Sequence, residues 1–151
     1  MNMRKILLLI SIMMTLGWLC SCEIETSSKG NLYGFWHLVS IDSLSNETPE
    51  GTIDMSQKLI FWAVQVHLVE LMDQTLERSP IVCRFEREGD SLFFDTPYYL
   101  DRAKGDSLVV DVERMNYYGL NAMKPRMLIE SLSSNKMVIK TAVARLKFRK
   151  M

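Results

Sequence analysis

The sequence predicts an all-β domain, an antiparallel up-and-down barrel of about eight strands. Three observations predict it. Apolar and polar residues alternate at period two in several segments beyond residue 32; in Ile81-Val82-Cys83-Arg84-Phe85-Glu86, for example, Ile81, Cys83 and Phe85 share one face. Turn signals such as Gly89-Asp90 and Ser133-Ser134-Asn135 separate these segments at short intervals. No stretch joins a helix cap to a convincing helical period. Consecutive hairpins make a meander the simplest topology, and closing it removes the two open edges of the sheet.

The chain opens on Arg4 and Lys5, followed by an apolar run from Ile6 to Leu19 that Ser11, Thr15 and Gly17 interrupt. A short cationic start and a short apolar run make a secretory signal, residues 1–21. The run is too short to cross a bilayer, which takes about 20 apolar residues. Leu19-Cys20-Ser21-Cys22 resembles the lipobox of bacterial lipoproteins, with Leu19 at −3 and a small residue at −1. That resemblance implies cleavage before Cys22, diacylglycerol on its thiol and acylation of the new amine. Two or more acyl chains hold a protein on a membrane stably, whereas one holds it reversibly. A signal cut elsewhere would leave Cys22 an ordinary thiol, and lipidation at Cys20 would place the bulky Leu19 at −1. Residues 22–31 are polar and without period, a tether, and residues 32–151 form the barrel domain. Glu23 and Glu25 resemble the surface-export signal of Bacteroidetes lipoproteins. The expected location is the outer membrane, on its periplasmic face or at the cell surface.

Within the domain, Gly34 to Ile41 is rich in aromatic and β-branched residues and reads as the first strand. Asn46, Pro49 and Gly51 make 43–52 a loop. Segment 59–72 is open to two readings. Its length and Ser56 suit a helix, while Ile60, Trp62, Val64, Val66 and Leu68 fall on one face of a strand, bent near its middle. The strand is favoured. A turn over 75–80 leads to strand 81–88, and Gly89-Asp90 turns into strand 91–95. Residues 96–105 are irregular; 107–115 alternate again, with Leu108, Val110 and Val112 on one face. After a connection over 116–125, three strands close the chain at 126–132, 136–141 and 144–150. In the last, Leu146 and Phe148 face inward while Arg145, Lys147 and Arg149 face water.

Composition narrows the function. The chain has 18 basic and 18 acidic side chains, and losing Arg4 and Lys5 leaves the mature part slightly acidic. Nucleic-acid binding calls for a basic domain, so none is expected. Once Cys20 leaves and Cys22 is acylated, Cys83 is the remaining thiol and no internal disulfide forms. His37 and His67 are far apart in sequence and have no metal-ligand spacing, so no metal site is expected. His67 and Cys83 could sit on adjacent strands as a thiol–base pair. Cys83 lies between Ile81 and Phe85 on an apolar face, however, where a lone cysteine serves as a small hydrophobe. No phosphate loop, nucleophile elbow or defensible carboxylate pair is present; the chain is not expected to be an enzyme or to hold a cofactor.

Gly34-Phe35-Trp36 opening the first strand resembles the start of the lipocalin, or calycin, barrel. The hairpin from Phe85 to Leu92, Tyr118-Gly119-Leu120 and the ending Leu146-Lys147-Phe148-Arg149-Lys150 are similar to the small lipocalin-like lipoproteins of gut Bacteroidetes. The resemblance covers about 32–151. The chain is short for a lipocalin and lacks the disulfide of many secreted members. The resemblance implies a basic residue from the last strand over Trp36, either Arg145 or Arg149. Candidate cavity-lining residues are Trp36, Leu38, Trp62 and Val64, with Cys83, Phe85, Val110 and Phe148. A barrel of this size either fills with side chains or holds one small ligand. The methionines, among them Met115, Met127 and Met137, suit either case. The function implied is a membrane-anchored lipoprotein whose barrel binds a small apolar or amphipathic ligand. The alternative is an accessory envelope lipoprotein acting through protein contacts, its partner unknown.

Overall fold

Eight strands hydrogen-bond in a closed antiparallel ring in the computed structural model of the chain, which describes residues 30–45, 48–101 and 103–151. The expectations for the signal, for Cys22 and for nearly all of the tether lie outside the described residues.

Going round the ring, β1 (Gly34–Ser45) pairs with β3 (Ile60–Gln65), which pairs with β4 (Leu68–Asp73) and then β5 (Ile81–Glu88). The ring continues through β6 (Ser91–Phe94), β9 (Arg126–Leu132), β10 (Lys136–Lys140) and β11 (Ala144–Lys150), which returns to β1. Ring order follows sequence order, so the barrel is an up-and-down meander. Three further strands lie off the ring: β2 (Thr48–Asp54) on β1, and β7 (Tyr98–Tyr99) and β8 (Ser107–Leu108) beyond β5.

Three segments differ from the sequence expectation, each for a physical reason. Residues 43–52 are not simply a loop: β1 runs on to Ser45 and β2 pairs back along it, Ile41 opposite Ile53. Pro49 and Gly51 are tolerated because β2 has β1 alone as a neighbour and needs no second row of N–H donors. Segment 59–72 is a hairpin of two strands rather than one bent strand, with Val66-His67 between the paired residues Gln65 and Leu68. A two-residue turn reverses which parity points inward. Ile60, Trp62 and Val64 are buried before it and Val69 and Leu71 after it, leaving Val66 and Leu68 outside. Segment 107–115 keeps strand geometry only for Ser107 and Leu108. The Asp111 carboxylate then accepts a 2.8 Å hydrogen bond from the Glu113 N–H and starts the one-turn helix α1 (Val112–Asn116).

Both ends of the barrel are closed by chain. At the end where β1 begins, Leu32 turns inward and its carbonyl accepts a 2.8 Å hydrogen bond from Trp36 Nε1. At the other end α1 buries Met115, and the segment after it buries Tyr118 and Leu120. Gly119 packs so closely that a Cβ there would lie 2.7 Å from Leu146 Cδ2. Between the ends, Trp62 meets Phe148 and Phe94 at ring distances of 4.8 and 5.6 Å. Each large apolar side chain so buried contributes roughly 1.5–3 kcal/mol.

Candidate functional site

The interior of the barrel is filled. The space among Leu32, Trp62, Val64, Phe85, Phe94 and Met137 has a volume of about 10 Å3. A single water needs about that much. Trp36, Leu38, Trp62, Val64, Cys83, Phe85 and Phe148 are all buried inward, as core. Trp62, Val64 and Phe85 border the residual space. Val110 does not join them: it is 86% exposed, because the turn into α1 directs it outward while Val109 takes the interior position. Burial pushes the Cys83 thiol up to about 12, with the Asp95 charge adding to the effect, so it stays protonated and unreactive. His67 is exposed ahead of β4, and Cys83 faces Val69 instead. No group of three His, Cys, Asp or Glu able to hold a metal occurs among the described residues.

The two arginines proposed to cover Trp36 lie elsewhere. Arg145 makes a bidentate ion pair with Glu130, its Nη2 2.8 Å from Oε1. Arg149 stands opposite His37, one residue out of phase with Trp36. The cation over the indole is Lys150, the Cα partner of Trp36.

Open volume lies outside the core, at the end capped by α1. A cleft of about 390 Å3 is bordered by Glu77 and Arg78 from the β4–β5 connection, by Tyr99 and Asp101, and by Arg114 and Tyr118. Asp73, at the end of β4, ties together the neighbouring connections that carry Arg78 and Tyr118. Its Oδ1 accepts from the Thr75 N–H at 2.9 Å and the Thr75 hydroxyl at 2.7 Å, and its Oδ2 accepts from the Tyr117 hydroxyl at 2.7 Å. Burial alone would raise the Asp73 carboxyl, but these hydrogen bonds and the nearby Arg78 outweigh it and hold it below the usual range. The Arg78 guanidinium lies 4.1 Å from the centre of the Tyr117 ring. Tyr118 stands edge-on to Tyr117 and is buried, and its hydroxyl has no hydrogen-bond partner. Burial and the Asp73 charge push that phenol up to about 12, so it remains a donor at any physiological pH.

A second depression, of about 500 Å3, runs along the outer wall past His67, Arg84, Glu86, Phe93 and Asp95. Asp95 there is ion-paired to Lys124 at 2.8 Å, and no buried polar atom along it lacks a partner. The end cleft is therefore the stronger candidate. Sequence reasoning missed it, since Arg78, Tyr99 and Arg114 come from segments read as turn, irregular chain and strand. The available signal was tyrosine in polar connections, at 99, 117 and 118, where a large ring has to find burial.

A family model described as a lipocalin-like domain matches residues 15–151. Two solved structures share the fold. One, a lipocalin-like protein from Bacteroides uniformis, is 18% identical with a TM-score of 0.57, covering 81% of this chain and 100% of its own. The other, an uncharacterized protein from Bacteroides eggerthii, is 19% identical with a TM-score of 0.53, covering 79% and 98%. No curated protein matches the chain.

Proposed function

The chain belongs to the lipocalin-like domain family, and from that premise we propose that it is a membrane-anchored lipoprotein whose barrel binds a small amphipathic molecule at its capped end. One observation carries the reading: the interior offers about 10 Å3, whereas the end cleft offers about 390 Å3. Ligand sites begin near ~300 Å3. The cleft is lined mainly by polar and charged groups, with Tyr99 as partly exposed apolar surface and Ile81 and Tyr118 buried beneath it. The anchor rests on Leu19-Cys20-Ser21-Cys22, with Cys22 as the acylated residue and the outer membrane as the location, on the periplasmic face or at the surface. The role proposed is binding without turnover.

Native mass spectrometry of the acylated protein released from membranes, before and after solvent extraction, tests this. A small molecule that co-purifies and can be removed and restored supports the reading. A protein that carries nothing and takes up nothing from lipid and metabolite extracts overturns it.

A second reading, an accessory lipoprotein acting through protein contacts, is favoured by one observation. Tyr98 and Leu108, paired across β7 and β8, and Leu68 on β4 leave apolar surface half exposed on the outer wall. A partner captured by the wild type and lost on Tyr98→Ser with Leu108→Ser would shift the assignment to it.

A further inference from the structure

We infer that the end cleft is a carboxylate site, in which the guanidinium groups of Arg78 and Arg114 and the hydroxyl of Tyr118 receive the head of a small organic monoacid. The inference rests on the binding reading above and adds the chemistry of the ligand. Three observations lead to it.

The first is the Tyr118 hydroxyl, a buried donor with no acceptor. Buried polar groups are nearly always paired, and an exception asks for an explanation. The Asp73 carboxylate does not accept from it; its oxygens take hydrogen bonds from Thr75 and Tyr117. What the phenol lacks is an acceptor oxygen arriving from the cleft side.

The second is how the cations are held. The Arg78 guanidinium lies against the Tyr117 ring, and Tyr117 is itself fixed by its hydrogen bond to Asp73. That contact restrains a guanidinium whose planar fork of N–H groups suits a carboxylate. Arg114 comes from α1, a separate element on the cleft border, so a ligand oxygen can be shared between two cations.

The third is the charge balance. The border holds two acids as well, Glu77 and Asp101. Asp101 is committed to its own loop, its Oδ1 accepting from the N–H groups of Ala103 at 2.9 Å and Lys104 at 3.1 Å. Asp101 keeps its charge, so Arg78 and Arg114 against Glu77 and Asp101 leave the border close to neutral. A border without excess positive charge disfavours the higher charge of a phosphate and leaves the two guanidinium groups to hold one carboxylate. Ser79 and Ser107 on the border suit a ligand hydroxyl, while Tyr99 takes its apolar part.

Isothermal titration of the full-length acylated protein in nanodiscs, with hexanoate and 4-hydroxyphenylacetate against their primary amides, tests the inference. The two acids separate an aliphatic source of the carboxylate from an aromatic one. At least one acid is expected to bind, and its amide to bind on the order of ten- to a hundredfold more weakly, the range for hydrogen bonds to a charged group. Arg78→Gln and Arg114→Gln should weaken the acid by similar factors and leave the amide unchanged. Tyr118→Phe separates ligand role from structural role: it should keep or raise the melting temperature, since it removes an unmet donor, yet weaken acid binding. Acid and amide of equal affinity, or acid affinity unmoved in Arg78→Gln and Arg114→Gln, would overturn the inference. So would a protein that carries a small molecule by mass spectrometry but takes neither acid, which leaves the binding reading intact. A protein that carries and takes nothing overturns both.

Discussion

The Lys150 ammonium lies 4.9 Å from the centre of the Trp36 ring. The same ammonium donates to the Asn31 carbonyl at 3.1 Å. Trp36 is fully buried, so its packing outweighs the cation contact. Trp36→Ala should cost about 3–5 kcal/mol, the range for deleting a buried aromatic ring. Lys150→Met, which keeps a stem over the indole, should cost about 0.5–1 kcal/mol, the cation–π value for an exposed site. Arg149→Met should leave Trp36 fluorescence unmoved. Urea unfolding of the three variants checks the ordering, and a Trp36→Ala protein as stable as wild type would contradict it.

Val66 opens the two-residue turn between β3 and β4 with φ +45°, a left-handed value for a β-branched residue. Its carbonyl accepts from the Tyr33 hydroxyl at 3.1 Å, a contact that does not involve the side chain. Left-handed backbone at a non-glycine residue costs on the order of 1–3 kcal/mol, and Val66 is 63% exposed. Val66→Gly should therefore stabilise the protein by about 1 kcal/mol after the entropy cost of glycine. A raised melting temperature with an unchanged fold by circular dichroism is the expected result.

Stability should fall in acid through two buried carboxylates. Asp42 is held below the usual range first by its hydrogen bond to Lys147 at 2.8 Å, and Thr52 adds a second at 2.9 Å. Asp73 is held low by Tyr117 and Thr75 against the opposing effect of burial. A carboxyl lowered in the folded state adds stability above its unfolded value, near ~3.9, and loses it as pH falls through the folded value. Unfolding midpoints should thus be flat near neutrality and drop below about pH 4. Asp73→Asn should lower stability at pH 7 and flatten that drop. An equal loss at pH 7 and pH 3 would rule out the linkage.

Cys22→Ala should abolish incorporation of an alkyne fatty acid and leave unprocessed precursor, because Cys22 is the acceptor proposed in Leu19-Cys20-Ser21-Cys22. In-gel fluorescence after click labelling reads it out. Undiminished label in the variant would remove the anchor from the proposal.

Alternation carried most of the fold. Strands 81–88, 126–132 and 144–150 emerge with the bounds read from period and turn residues, since each has one face in the core and one in water. The hairpin at Val66-His67 was illegible because neither residue is a turn former, and the apolar run continues through it. The helix after Asp111 hid behind a short alternation that its cap overrode. The cation over Trp36 was within reach. Residues 145 and 149 share the water face, and the cross-strand partner of an inward tryptophan has even parity, as Lys150 has. The end cleft was beyond the sequence, since its parts come from connections whose meeting depends on the closed ring.

The first and last residues of the folded unit meet: Lys150 reaches Asn31 at the Trp36 end, and the strand register places the β4–β5 connection at the opposite end. Both ends of the described domain therefore lie at one pole of the barrel. A reporter fused after Met151 sits at that pole and leaves the other unobstructed, and joining 151 to 31 by a short linker is geometrically open to circular permutation. With a lipid at Cys22, the nine residues between it and residue 32 would span at most about 30 Å.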